Sequence, residues 1–248
     1  MRILRSWFVL SAREIESYFL APLMYVVLAV FLVLNGFSFY LSIASQEGNV
    51  DASVRSFLGA SPWFWFEIVL IPPIPTMRLI AEERRTGTLE GLMTAPVTDT
   101  VVVLAKFTGA LAFYIALWAP SILYLVTLKS YGALPDVGIL ESSYLGVLLL
   151  GALLIAVGLL MSALAPNQIV AAILAIVANL VLFFAPLLAV VMGRGATRTA
   201  LEHLALFFHF QDGFAKGIVD TGIVGIYVAG IGLCLFLAVR ALEARRWA

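Results

Sequence analysis

The residues of this chain able to do chemistry fall into three groups: a lone carboxylate, Glu67, a charged run from Met77 to Lys106, and a histidine-bearing stretch from Thr197 to Thr221. Glu67 stands about midway along an apolar stretch, and a carboxylate inside a membrane is a candidate substrate contact or part of a proton relay. The neighbouring Pro62-Trp63-Phe64-Trp65-Phe66 reads as interfacial, which sets Glu67 only a turn or two below the outer surface. With no obvious basic partner, it lends little to an ion-coupled pump. Asn179, in a later apolar stretch near Pro186, reads first as an interhelical hydrogen bond and is kept with Glu67 as a candidate pathway residue. His203, His209 and Asp212 match no compact metal-binding spacing. Phe207, Phe208, Phe210 and Phe214 favour an aromatic, partly re-entrant turn in their place. No G-x-x-x-x-G-K-[ST], H-E-x-x-H or G-x-S-x-G occurs, so neither a nucleotide cradle nor a membrane-embedded hydrolase is supported. No catalytic residue, metal or cofactor is assigned to the chain.

The charged run reads MRLIAEERRTGTLEGLMTAPVTDTVVVLAK. Arg78, Glu82, Glu83, Arg84 and Arg85 extend a helix past the apolar stretch, with opposite charges at i,i+3 and i,i+4. Gly87 is placed to stop that helix in a left-handed conformation. Thr88 can cap a short new helix from Leu89 to about Thr94, with Glu90 in its first turn and Pro96 at its end. Leu89, Leu92 and Met93 on that helix form a docking knob for a soluble partner. A solvated charged loop is the plainer alternative. Thr98 or Asp99 can cap the next long helix, whose first turns are expected at the interface as far as Lys106.

The elements that must position these residues follow from composition. Of 248 residues, 62% are hydrophobic and 12% charged, against about 25% charged in a soluble domain. A water-facing surface cannot be built from so few charges. A bilayer core of about 30 Å takes about 20 apolar residues per helix. Six stretches qualify: 21–43, 61–80, 107–128, 143–165, 169–192 and 222–239. The second holds Pro62, Pro72, Pro73 and Pro75, so it is expected to break near Ile71–Thr76. Gly146, Gly151, Ala152, Ala156 and Gly158 in the fourth, and Gly222, Gly225, Gly230 and Gly232 in the sixth, let helices approach closely. Cys234 is the only cysteine, so no intrachain disulfide exists. Fifteen basic and fifteen acidic residues cancel, and no field recruits nucleic acid.

Six spans put both termini on one side. With that side cytoplasmic, ten Lys and Arg lie inside and five outside, which fits the positive-inside rule. The first apolar run is too long for a signal peptide. Ahead of it, Leu4, Trp7, Phe8, Ile15, Tyr18 and Phe19 share one helical face, opposite Arg2, Arg5, Ser6, Arg13, Glu16 and Ser17. Residues 1–19 thus read as an interfacial elbow helix, with Pro22 at the bend.

The run M-R-x-x-A-E-E-R-R-T-G-T-L-E-x-L-x-T-A-P-V resembles the signature of the ABC-2 family of ABC-transporter permeases. Pro73, Thr76, Met77 and Arg78, with His209, Phe210, Phe214, Gly217, Ile218, Val219 and Asp220, are similar to the gliding-motility-type subfamily. The resemblance implies an all-α bundle, one transmembrane domain over residues 1–248, with six spans, an elbow helix and a re-entrant segment before the last span. It implies a coupling region over 82–96, in which Glu82, Glu83, Arg84, Arg85, Thr86, Gly87, Thr88, Leu89 and Glu90 meet a separate ATPase that holds ATP and magnesium. Gly91 departs from the larger residues usual there and weakens the short helix. A second permease copy or a related one, and an extracytoplasmic accessory protein, are the further implied partners. Export across the inner membrane of a bacterium is the implied role. The alternatives are an ATP-driven scaffold or mechanotransmission complex acting on envelope proteins, and a secondary transporter.

Overall fold

In the computed structural model, residues 2–87, 97–133, 135–191 and 206–244 are described, and all regular structure among them is helical. Among the described residues, six helical stretches are long and apolar enough to cross a membrane. The protein is therefore an all-helical integral membrane protein. Ahead of the spans, α1 covers Arg2–Leu20. Ala21 is extended and Pro22 sits in the first turn of α2, Pro22–Ser45, so the chain turns where the proline predicts. We call the end of the bundle that carries α1 proximal and the other end distal.

The second span is a string of short pieces over Val50–Thr86. They are α3 (Val50–Arg55), a π turn (Ser56–Ala60), α4 (Pro62–Leu70), α5 (Pro73–Thr76) and α6 (Ala81–Thr86). The helix is interrupted at 71–72 and again at 77–80, on either side of α5, and the prolines, whose missing N–H groups interrupt the ladder, account for the break beside them. Helix starts eleven residues earlier than the expected 61, at Val50, because Asn49 caps α3 with a bond from the Ala52 N–H, 3.0 Å. The third span is α7 (Asp99–Trp118) and α8 (Ser121–Ser130), separated at Pro120. It begins eight residues before the expected 107, because Val101, Val102, Val103 and Ala105 are buried and extend its packed face. The remaining spans are α9 (Val137–Leu164), α10 (Gln168–Val191) and α12 (Thr221–Ala244), with α11 (Leu206–Asp212) before the last.

At the centre stands α9, packed along α12 and α10, while α1 runs along α7 and α2 along α4. Its most apolar window is 72% buried, against 28% for α2, 22% for α10 and 17% for α12. Those three turn Val33, Val177 and Leu233 outward, at no cost in a lipid surrounding as apolar as they are. Without a hydrophobic drive between helices, contact depends on small residues. On α9, Gly146 meets Phe210 and Phe214, Gly151 meets the Tyr114 ring and Gly158 meets Thr76. In the sixth span only Gly230 is so used, against Leu153, while Gly225 and Gly232 face open space.

Candidate functional site

The short helix α6 carries Glu82 and Glu83 in its first turn and Arg84 and Arg85 in its last, the order its dipole favours. Gly87 ends it with φ +72°, and its N–H donates to the Arg84 carbonyl at 3.2 Å, the left-handed stop expected of a glycine there. Arg78 donates to Glu82 at 2.5 Å, an i,i+4 ion pair across the start of the helix. Arg85, Thr86 and Gly87 are exposed.

Side chains bind α6 to the proximal ends of its neighbours. The Arg84 guanidinium donates to the Ala163 carbonyl at 2.7 Å and to the Ala165 carbonyl, covering orphan carbonyls at the end of α9. Ser162 of α9 accepts from the Ile80 and Ala81 N–H groups, 3.1 Å each, at the start of α6. The ammonium of Lys106 on α7 lies 2.6 Å from Glu83 and 3.0 Å from Glu14 of α1. Its side chain is 3% exposed. Two carboxylates from other elements hold it inside. Gly109, one turn on, lets α1 come this close, since a Cβ there would lie 2.7 Å from Glu14 Cβ.

The proline break beside α6 is pinned in the same manner. Pro73 has no N–H to offer the Val69 carbonyl, and Asn179 of α10 donates to that carbonyl at 3.2 Å instead. Tyr18 of α1 donates to the Pro75 carbonyl at 3.0 Å and stacks on Phe113 with ring centroids 5.3 Å apart. Burial, helped by Glu14, pushes the Tyr18 hydroxyl far above the usual tyrosine range, so it stays a neutral donor. Thr76 donates back to the Pro72 carbonyl at 2.9 Å. A cleft of about 770 Å³ opens between α1 and α6, lined by Arg13, Glu14, Tyr18, Arg78, Glu83 and Lys106.

Deeper in, Glu67 is 2% exposed and accepts from Asn35 Nδ2 of α2 at 2.9 Å. The partner of Glu67 is thus a neutral amide and not a basic group. Asn35 itself escaped the sequence reading. Its signal was a polar face on α2, Asn35, Ser38 and Ser42 at i, i+3 and i+7. At the distal end, Phe210 and Phe214 of the stretch before the last span are buried, and Phe64 lies 5.1 Å from Phe210. Asp212 pairs with Lys216 at 2.7 Å.

Of the sequence candidates, Glu82, Glu83, Arg84, Arg85, Thr86 and Gly87 come together on α6, while Glu67 and Asn179 sit apart from them on α4 and α10. Thr88, Leu89 and Glu90, with the rest of the proposed short helix to Pro96, lie outside the described residues, as does His203. The residues that join α6 to the bundle, Glu14, Lys106 and Ser162, were not singled out for this role. Their partners are distant in sequence. Compared with known families, residues 34–239 match the model described as ABC-2 family transporter protein, which takes in every residue above except those of α1. No curated protein matches the chain.

Proposed function

The chain belongs to the ABC-2 family of transporter proteins, and from that premise we propose that residues 82–96 are where a separate ATPase drives it. It is the membrane subunit of an ABC transporter, a component of a kind that typically works with an ABC ATPase. The observation that carries the proposal is the attachment of α6. One short helix with an exposed tip is tied to α9 through Arg84 and Ser162, and to α7 and α1 through Lys106.

In this reading the partner holds ATP and magnesium, and ATP binding closes the ATPase pair against residues 82–96. Displacement of α6 is passed to α9 by the Arg84 bonds and to α7 by the Glu83–Lys106 pair. The elbow helix α1 rides along through Glu14. Two permeases, identical or related, pair around the route, with both termini in the cytoplasm and the complex in the inner membrane of a bacterium, exporting its substrate. Thr88, Leu89 and Glu90 complete the contact with the ATPase. The aromatic stretch before α12 closes the outer end of the route as a re-entrant segment, and Glu67 and Asn179 stand beside the route. An extracytoplasmic protein of the gliding-motility-type systems is the natural accessory.

The test replaces Gly87-Thr88-Leu89-Glu90 with a flexible linker in the chain co-expressed with its ATPase. Membrane insertion is expected to persist while ATPase co-purification and transport are lost. Full assembly and activity after the replacement would overturn the coupling assignment.

A further inference from the structure

We propose that Glu67 and Asn35 form a monovalent-cation site within the bundle, taking a proton or an alkali cation. It builds on the placement of Glu67 beside the route and names what that carboxylate binds. The pair is closed to solvent, with Glu67 2% and Asn35 1% exposed, and Asn35 Nδ2 donates to Glu67 Oε2 at 2.9 Å. This bond leaves Glu67 Oε1 and Asn35 Oδ1 without a partner. Ser38 and Ser42, 1% and 2% exposed, continue the same face of α2, and their hydroxyls have no partner either. Buried polar atoms in native folds are almost always satisfied, so four such oxygens along one interface ask for a ligand. A carboxylate, an amide oxygen and hydroxyls are hard oxygen donors, suited to a proton or a small alkali cation rather than to an anion or a soft metal.

Charge points the same way. Asn35 brings a hydrogen bond and no charge, and a bare carboxylate inside a bilayer is expensive. The described charged side chains on the packed elements are Arg5, Arg13, Glu14 and Glu16 on α1, Asp51 and Arg55 on α3, Asp99 and Lys106 on α7, Lys129 on α8 and Glu141 on α9, and the environment of Glu67 is set by burial and Asn35 rather than by any of them. The titratable groups that sense it are the phenols of Tyr114 and Tyr124. Tyr114 is already engaged, donating to the Val147 carbonyl at 3.2 Å. A bound cation supplies the compensation that no described side chain gives.

The experiment uses the full chain in lipid nanodiscs. Trp118 reports on the site, its ring 5.3 Å from Phe31 and 5.9 Å from Phe64, which flank the pair. Thermal midpoints are followed by fluorescence in NaCl, LiCl, KCl and choline chloride at equal ionic strength and pH 8, and in choline chloride from pH 8 to pH 5. Either an alkali salt or acid is expected to raise the midpoint saturably by about 2–4 °C. A salt response marks an alkali cation, and an acid response marks a proton. The isosteric Glu67→Gln is expected to lose the response. Should that variant fail to insert, carbodiimide labelling of Glu67 in the unaltered chain decides, because the reagent needs a protonated carboxyl. Labelling that rises with acid or falls with sodium supports the site. Midpoints and labelling indifferent to both, or an unchanged response in Glu67→Gln, would overturn it. Since no ATPase is present in either measurement, failure here leaves the coupling reading standing.

Discussion

Replacing Lys106 with methionine tests whether the Glu14–Lys106–Glu83 cluster holds the proximal end together. The lysine is 3% exposed and its partners 22% and 25%, so the substitution takes the ammonium from between two partly buried carboxylates. Removing one partner of a fully buried pair costs about 3–5 kcal/mol. The glutamates border an open cleft, and solvent there screens part of the loss, which leaves an expected cost of about 2–4 kcal/mol. For a chain of this size each kcal/mol lowers the midpoint by about 2–4 °C, so a fall of about 5–15 °C is expected. The assay is fluorescence-detected unfolding in nanodiscs, with Lys106→Met compared against Lys106→Met/Glu14→Gln/Glu83→Gln. The triple variant also neutralises both carboxylates and is expected to recover more than half of the fall. A single variant within about 2 °C of the unaltered chain, or a triple variant no better than the single, would refute the reasoning.

Gly158→Ala puts a Cβ 2.8 Å from Thr76 Cβ, on a stiff side chain whose hydroxyl is already bonded to Pro72. It is expected to cost about 1–3 kcal/mol, read as a lower midpoint. Arg84→Ala removes the guanidinium bonds between α6 and the end of α9, leaving those to Ser162, and is expected to lower ATPase stimulation by the assembled complex more than it lowers the midpoint. Arg84→Lys recovers little, since one ammonium cannot replace the two-carbonyl fork, and equal loss of stability and stimulation would argue against transmission through this residue. Asn35→Leu leaves Glu67 without its donor and is expected to cost about 1–3 kcal/mol. Asn35→Leu/Glu67→Leu regains most of it, and strict additivity in that cycle would show the two do not interact.

Much of the architecture was legible because its determinants are local. An apolar run long enough to span a bilayer, a proline at 22, three prolines within 72–75 and a glycine at 87 each act within a turn or two, and each feature appears where the residue type requires. The site was less legible because its bonds are not local. Lys106 reaches Glu14 across 92 residues and Glu83 across 23, and Ser162 meets Ile80 across 82. Periodicity says which face a residue occupies and nothing of which distant helix faces it. Asn35 was hidden for a second reason: one amide barely lowers the average over an apolar helix, although a single polar group there has large energetic weight. The eleven-residue extension to Val50 rests on Asn49, a residue whose capping role is indistinguishable from an ordinary loop position until the backbone turns.

The pinned proline break also bears on how the protein suits membranes of different thickness. A continuous helix meets a thinner bilayer by tilting, which would drag everything packed along it. Between Leu70 and Ala81 the second span is made of short turns held by Tyr18, Asn179, Thr76 and Ser162. Such a segment can shorten or lengthen by shifting its turns while the unbroken α9 beside it keeps its angle. The break is thus where a change in bilayer depth is expected to be taken up. Spin-label distances across 70–81 are expected to change between short- and long-chain lipids while those along α9 stay fixed. The opposite pattern would place the give elsewhere.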